Sequence, residues 1–267
     1  MKKDQTLPKR VIVSVCILSI IYSSIIYASL PLYIFLNALV IGITLFEFFN
    51  ITEQSGLRPR KTLGISLGVL FPLFMYFPGE PIVFGAAIMA LMFLNFNEET
   101  EKFGGLINTA ATLFGLVYVG LFLSYFTKLR CLPHGAAWVC YIITITKLCD
   151  AGAYFVGTSF GKTKPFKKIS PNKSLEGIIG GFIFSILGSF AFKVFLHDIE
   201  MAHLFILGFL LAIIGPLGDL TESLIKRECQ VKDSGAVPGL GGALDILDSL
   251  LFTVPFLYYY LQAFIIG

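Results

Sequence analysis

A polar segment near the C-terminus holds the side chains most capable of chemistry in an otherwise apolar chain. It covers residues 215–249 and lies between two strongly apolar stretches. Charge beside or inside a bilayer is costly, so a cluster of this kind next to apolar stretches indicates a functional site. Its carboxylates and cations include Asp219, Glu222, Asp233, Asp245, Asp248, Lys226, Arg227 and Lys232.

The spacing of the carboxylates allows two pairs to converge on one point. Asp245 and Asp248 are three residues apart and share a face if the last helix begins near them. The turn Pro238-Gly-Leu-Gly-Gly242 precedes them and can fold back, which lets backbone approach a ligand closely. Before that turn, one helix face at positions i, i+3, i+4 and i+7 carries Asp219, Glu222, Ser223 and Lys226.

Carboxylates that converge beside lysines predict a site for metal-assisted phosphoryl or nucleotidyl transfer. Mg²⁺ prefers carboxylate oxygens and is commonly shared between one or two carboxylates and substrate phosphates. The simpler interpretation is a salt-bridged helix end, in which each ion pair contributes about 0.5 kcal/mol. Four aspartates and a glycine-rich turn within one short segment favour the metal site.

A second polar segment, from Asp150 to Gly177, combines glycines with lysines. Glycines let backbone amides face an anion, and lysines are point charges suited to phosphate. The run Gly161-Lys-Thr163 is not a P-loop, because Val156 stands where that pattern needs a glycine. The alternative is a basic loop that only contacts anionic lipid headgroups. The lysines of the segment are Lys162, Lys164, Lys167, Lys168 and Lys173.

The composition predicts the elements that must position these two segments. Hydrophobic residues make up 56% of the 267 and charged residues only 14%, against about 25% charged residues in a typical soluble domain. We therefore predict an all-α protein, a polytopic membrane helix bundle that forms a single membrane domain over residues 1–267. A span needs about 20 mainly apolar residues, and nine predicted spans cover residues 11–29, 31–49, 62–78, 81–97, 105–126, 136–157, 177–196, 203–221 and 249–266.

The distribution of Lys and Arg predicts the side of the membrane that the polar segments face. With the N-terminus in the cytoplasm, only Lys128, Arg130 and Lys193 of the 20 cations fall in outer loops. This fits the positive-inside rule and places both polar segments on the cytoplasmic side. Residues 136–267 are the expected catalytic part, whereas the role of the helices in residues 1–126 stays open.

Three charged positions inside the predicted spans have local interpretations. Lys147 and Asp150 are three residues apart and are expected to neutralise each other. Glu47 lies near the end of the second predicted span and is interpreted as reaching the membrane interface.

Taken together, the two polar segments resemble the phosphatidate cytidylyltransferase (CDP-diacylglycerol synthase) family. Two positions depart from the family pattern: Leu240 replaces its histidine and Ile246 replaces its arginine, so those two roles are left unassigned. The motifs that carry the resemblance are Gly218–Ser223, Ser223-Leu-Ile-Lys-Arg227, Lys232-Asp233, Pro238–Gly242, Leu244-Asp-Ile-Leu-Asp-Ser249, Asp150–Gly157 and Ser170–Gly177.

The resemblance implies a reaction in which CTP and phosphatidate give CDP-diacylglycerol and diphosphate. It also implies an integral protein of the cell's inner (plasma) membrane whose active site faces the cytoplasm, with the lipid bilayer as a partner and no nucleic acid. A homodimer is left open. The implied metal ligands, for one or two Mg²⁺ ions, are Asp219, Asp245 and Asp248. The implied catalytic residues are Lys226, Lys232 and Asp233. The residues implied to bind nucleotide or lipid headgroup are Asp150, Tyr154, Lys162, Lys173, Glu176, Ser223 and Arg227.

Two other functions remain as alternatives. A membrane transporter would use the acidic residues as an ion path, but the broken helices at matching positions of two halves that such folds often show are not visible in the sequence. An enzyme with a different acceptor, either another lipid-phosphate nucleotidyltransferase or a lipid-alcohol kinase, would need the same carboxylates and lysines.

Overall fold

The long helices of this protein are formed by apolar segments that are long enough to cross a bilayer. The structure is a computed structural model that describes residues 19–77, 85–86, 89, 104–165, 170, 173–231, 234–235 and 242–266. These residues are mostly helical and contain no strand. Six helices are long and apolar enough to cross a membrane: α1 Leu30–Gln54, α4 Gly105–Cys131, α5 Gly135–Phe160, α6 Leu175–Val194, α7 Met201–Glu228 and α8 Ala243–Ile266. The predicted all-α, polytopic membrane fold is confirmed.

A shorter apolar segment follows α1. It was predicted as one span over residues 62–78, and it divides into α2, Lys61–Gly68, and α3, Phe71–Tyr76. Residues 19–27 are helical and belong to the first predicted span. The predicted span at 81–97 lies almost wholly outside the described residues, so the count of nine helices stays a prediction.

Two helices extend further into the polar segment than expected. Helix α7 continues through Pro216 to Glu228, and α8 begins at Ala243 rather than at residue 249. The polar residues at their ends pair with one another at helical spacing and across the two helices, which supports these extra turns. Both carboxylate pairs of the polar segment therefore lie on regular helices, where their directions are fixed.

Apolar side chains fill the centre of the bundle and also cover its outside. One buried cluster joins residues of α1, α4, α5, α7 and α8, with Trp138 and Tyr141 among its largest members. Phe35 and Leu187 are more than half exposed, as expected of side chains that face lipid.

Hydroxyl groups bind backbone carbonyls across the packed helices α6 and α7. Ser185 Oγ donates to Gly208 O at 2.7 Å, and Ser189 Oγ donates to Leu204 O at 2.5 Å. Such bonds fix helix pairs where lipid offers no competing partner. They hold α7, which carries the first carboxylate pair, against α6.

Candidate active site

Three carboxylates meet where α7 and α8 cross. Asp219 and Glu222 come from α7 and Asp248 comes from α8, and one oxygen of each lies within 4.8 Å of the other two. Gly218 explains the close approach, because a Cβ there would come within 2.5 Å of the Asp248 carbonyl oxygen and 3.2 Å of Ser249 Cα. The two backbones touch at this glycine, and the neighbouring acids are brought together.

The members of this carboxylate cluster (Asp219, Glu222 and Asp248) are withdrawn from solvent. Glu222 is 1% exposed and Asp248 is 8% exposed. Lys226 Nζ lies 2.5 Å from Glu222 Oε2 and pairs with it, while Glu222 Oε1 has no hydrogen-bond partner among the described residues. Buried charges are normally paired or bound to metal. A hard cation such as Mg²⁺ therefore fits the oxygens that this cluster presents.

Asp248 is also linked to the second polar segment. Ser249 Oγ lies 2.9 Å from Asp248 Oδ1 and 3.4 Å from Asp150 Oδ2. A hydroxyl carries one hydrogen, so Ser249 donates fully to only one of these carboxylates at a time. Lys147 Nζ contacts Asp150 Oδ2 at 3.2 Å, which confirms the expected pairing of these two residues on α5.

Lys173 connects the basic loop to the cluster. Its ammonium lies 2.8 Å from Asp219 Oδ2 and donates to the Pro216 carbonyl oxygen at 3.1 Å. Beside it is a cavity of about 290 Å³ between α5, α6 and α7, lined in part by Asp150, Tyr154 and Ser174. This cavity opens one wall of the cluster to a ligand.

Asp245 lies in a different set of contacts from the cluster. Its Oδ1 is 2.5 Å from Lys226 Nζ, and its Oδ2 accepts the Ser234 N–H at 3.0 Å and the Gly242 N–H at 2.7 Å. The side chain therefore caps the N-terminus of α8. Asp245 is not one of the three clustered carboxylates, and its role as a metal ligand stays a prediction.

Charge is unevenly balanced over the whole arrangement. Three ammonium groups, those of Lys147, Lys173 and Lys226, contact the carboxylates described above. Four carboxylates contact them, namely Asp150, Asp219, Glu222 and Asp245, and Asp248 is a fifth carboxylate beside them. If all are ionised, these described groups carry two more negative charges than positive ones, which is the charge of one divalent cation.

Other residues implied by the resemblance lie around this centre. Glu176 accepts the N–H groups of Lys162 and Thr163 at 3.1 and 3.2 Å, so it holds the loop that follows α5. Ser223 Oγ lies 3.4 Å from Asp219 Oδ1, and Arg227 is exposed. Lys232, Asp233 and Leu240 lie outside the described residues.

A larger cavity of about 510 Å³ lies between α1, α4, α5 and α8. Its lining is mostly apolar, with Tyr33 and Phe126 among its residues, whereas Lys147 and Asp245 supply charge. Ile246, which stands where the family pattern has arginine, also lines it. The cavity has the character of a site for a hydrocarbon chain with a polar end.

Sequence reasoning missed the roles of two acids. Glu222 was placed in a converging carboxylate pair but was not named as a metal ligand, and Glu47 was interpreted only as an interfacial residue. In the structure, Glu47 Oε2 accepts the Leu244 N–H at 2.9 Å, which places a side chain of α1 at the start of α8. The available signal was an isolated carboxylate inside an apolar span, which is costly without a partner.

Comparisons with known proteins agree with this architecture. The sequence model of the cytidylyltransferase family matches residues 8–264. A phosphatidate cytidylyltransferase of Bacillus subtilis (strain 168) is 33% identical over 253 residues, which is 90% of this chain and 92% of that protein. One from Thermotoga maritima is 35% identical over 199 residues, 71% of this chain and 72% of the relative. One from Haemophilus influenzae is 44% identical over 133 residues, 48% of this chain and 46% of the relative.

Proposed function

The chain belongs to the cytidylyltransferase family, and from this premise we propose that it is a phosphatidate cytidylyltransferase. In the proposed reaction, CTP and phosphatidate give CDP-diacylglycerol and diphosphate. The observation that carries the proposal is the buried carboxylate cluster with a cavity beside it that is lined in part by Asp150, Lys173 and Asp219. A larger, mostly apolar cavity reaches Lys147 and Asp245. Charged side chains suit the nucleotide, and the larger apolar cavity suits the lipid.

Asp219, Glu222 and Asp248 would hold Mg²⁺, as one ion or as part of a pair. Bound there, the metal would neutralise charge that develops on the triphosphate during transfer. The excess of carboxylates over ammonium groups among the described residues of the site supports this assignment, as does Glu222 Oε1, which has no hydrogen-bond partner among them. Asp245 remains a predicted further ligand.

The basic side chains would position phosphate groups. Lys173 already contacts Asp219 and the Pro216 carbonyl and lines the cavity of about 290 Å³, so its remaining N–H donor can bind a phosphate oxygen of the substrate. Lys226 contacts Glu222 and Asp245 and keeps their carboxylates in place. Arg227, Lys232 and Asp233 are proposed to assist phosphate binding and transfer.

The chemical step is a displacement at the α-phosphorus of CTP. An oxygen of the lipid phosphate forms a new bond to that phosphorus while the bond to the bridging oxygen of the diphosphate breaks, and diphosphate leaves with the electron pair. A lipid phosphate is already largely ionised at neutral pH, so the residues must align the groups and stabilise charge rather than create a nucleophile.

The water-soluble and the lipid substrate would reach the site from different sides of the protein. CTP is water-soluble and would enter from the cytoplasm, where the positive-inside rule puts both polar segments. The acyl chains would lie in the apolar cavity of about 510 Å³. We place the protein in the plasma membrane of the cell, with the active site facing the cytoplasm.

A labelling experiment tests this function against its alternatives. Protein purified in detergent is incubated with Mg²⁺, with CTP carrying label at either the α- or the γ-phosphate, and with either phosphatidate or, as a lipid alcohol, diacylglycerol. Transfer of only the α-label into lipid supports the proposal, whereas transfer of the γ-label identifies a lipid kinase. No transfer to phosphatidate overturns the proposed function. A transporter would show no Mg²⁺-dependent stabilisation by CTP.

A further inference from the structure

Glu47 joins the N-terminal helices to the helix that carries Asp248. Its Oε2 accepts two hydrogen bonds, from the Leu244 N–H at 2.9 Å and from the Ser234 hydroxyl at 3.3 Å. The same Ser234 Oγ accepts the Asp245 N–H at 3.3 Å. A chain of bonds therefore runs from the first turn of α8 through a serine to the carboxylate on α1.

The space around this carboxylate is too narrow for other side chains. A Cβ at Gly235 would come within 2.6 Å of Glu47 Oε1, and one at Gly242 would overlap Glu47 Oε2 and the Ser234 hydroxyl. Gly235 and Gly242 thus form a slot that admits the acid, and within the α7–α8 connection these two glycines lie next to each other. The fit indicates a specific seat for Glu47 rather than a side chain that extends toward water.

The position of Glu47 also suits the electrostatics of α8. The first amides of a helix lack partners within the helix, and negative charge near them is stabilising. Glu47 takes the Leu244 amide, while Asp245 takes the amides of Gly242 and Ser234. Two carboxylates from different helices therefore complete the start of α8.

We propose that Glu47 is a positioning residue, whose carboxylate fixes the start of α8 and thereby the place of Asp248 in the carboxylate cluster. Leu244 precedes Asp248 by four residues, which is one helical turn, so a displacement at the first turn is passed directly to Asp248. This inference deepens the proposed function, on which its relevance to catalysis rests. It assigns a role to the N-terminal half of the chain, which supplies no member of the cluster.

The test uses two measurements that need neither CTP nor lipid substrate. Hydrogen exchange of the whole protein in detergent reports on residues 242–250, and the Mg²⁺ concentration needed for half of the Mg²⁺-induced thermal shift reports on the cluster. For Glu47→Ala we expect faster exchange confined to residues 242–250 and about a tenfold higher Mg²⁺ requirement, as for loss of a residue that orients metal ligands. Glu53→Ala is the matched control, because Glu53 lies on the same helix and its carboxylate pairs with Lys61 on α2.

A conservative series separates positioning from general loss of folding. Both bonds of Glu47 go to one oxygen, so Glu47→Gln can keep them and should remain close to the wild type in both measurements. Should Glu47→Ala fail to fold, Glu47→Asp, whose carboxylate is one methylene short, should show the same two changes. Three results would each overturn the inference. In the first, hydrogen exchange of residues 242–250 is unchanged in Glu47→Ala; in the second, exchange rises evenly over the whole chain. In the third, Glu47→Gln is as impaired as Glu47→Ala. A wild-type protein without transferase activity would instead refute the proposed function. The hydrogen-exchange and Mg²⁺ measurements would still test the positioning role of Glu47.

Discussion

The Lys173 ammonium lies 2.8 Å from the Asp219 carboxylate and links the loop before α6 to the cluster on α7 and α8. The contact gives Lys173 two opposing effects. It offsets negative charge that would otherwise attract a metal ion, and it presents a cation to an incoming phosphate. Substitution should therefore change metal binding and substrate binding in opposite directions.

Lys173→Met is expected to raise KM for CTP or phosphatidate by about tenfold or more, because a charge-assisted hydrogen bond contributes about 1.5–3 kcal/mol. The Mg²⁺ concentration for half-maximal activity should stay equal or fall, because Asp219 loses its competing cation. Steady-state kinetics with separately varied Mg²⁺ and CTP measure both quantities. Lys193→Met, at the opposite end of α6, should change neither, and a parallel rise in both constants would contradict the assignment.

Glu222→Gln should raise the melting temperature of the metal-free protein and reduce the stabilisation that Mg²⁺ adds. Removing one of three crowded, buried carboxylates relieves repulsion, so the metal-free protein should melt a few degrees higher, on the order of 2–4 °C for 1 kcal/mol. The Mg²⁺-induced increase in Tm should shrink, since one ligand is weakened. Thermal denaturation in detergent with chelator and with Mg²⁺ checks both signs. A variant that is less stable in chelator would show that Glu222 is held mainly by its contact with Lys226.

Gly218→Ala should separate α7 from α8. Its added Cβ would lie 2.5 Å from the Asp248 carbonyl oxygen, so the helices must shift, with an expected stability loss of about 1–3 kcal/mol. Activity should fall by more than the loss of folded protein accounts for, because Asp219 and Asp248 move apart. Gly215→Ala is the matched control on the same helix, since its Cβ would meet no atom closer than 3.6 Å. Equal behaviour of the two variants in activity and unfolding assays would refute this account of the crossing.

Ile143→Trp tests the apolar cavity as the acyl-chain site. Ile143 lines this cavity of about 510 Å³, and an indole would fill much of it. Activity on long-chain phosphatidate should fall several-fold, whereas activity on a short-chain analogue should be retained. The control is Ile183→Trp, because Ile183 is 51% exposed on the outside of the bundle. Equal loss on both lipids would place the acyl chains elsewhere.

The spacing of the acids and the family resemblance were enough to predict part of the site. The spacing predicted that the carboxylate pairs converge, the resemblance implied Asp219 and Asp248 as metal ligands, and the structure places both in the carboxylate cluster. The same spacing predicted that Asp245 joins them, but its carboxylate instead accepts the backbone N–H of Gly242 at the start of its own helix. Gly242 offers no side chain to cap that helix, so the sequence pattern alone did not reveal that the acid three residues later takes this role.

The roles of Glu47 and Gly218 could not be predicted in this way. Helical periodicity tells which residues share a face, but it does not tell which face of a distant helix they meet. The contact from Glu47 to Leu244 and the approach of Gly218 to Asp248 arise only when α1, α7 and α8 are packed. Both depend on tertiary structure: a carboxylate inside an apolar span indicates that Glu47 needs a partner, but not which partner it has.

The bond between Glu47 and Leu244 also sets a time scale for assembly in the cell. The two residues are 197 positions apart, and a ribosome that adds about 5–20 residues per second needs roughly 10–40 s to make the intervening chain. During that interval α1 is already synthesised while its carboxylate has no α8 to bind. The site can thus be completed only late in synthesis, after the helix carrying Asp248 has entered the membrane.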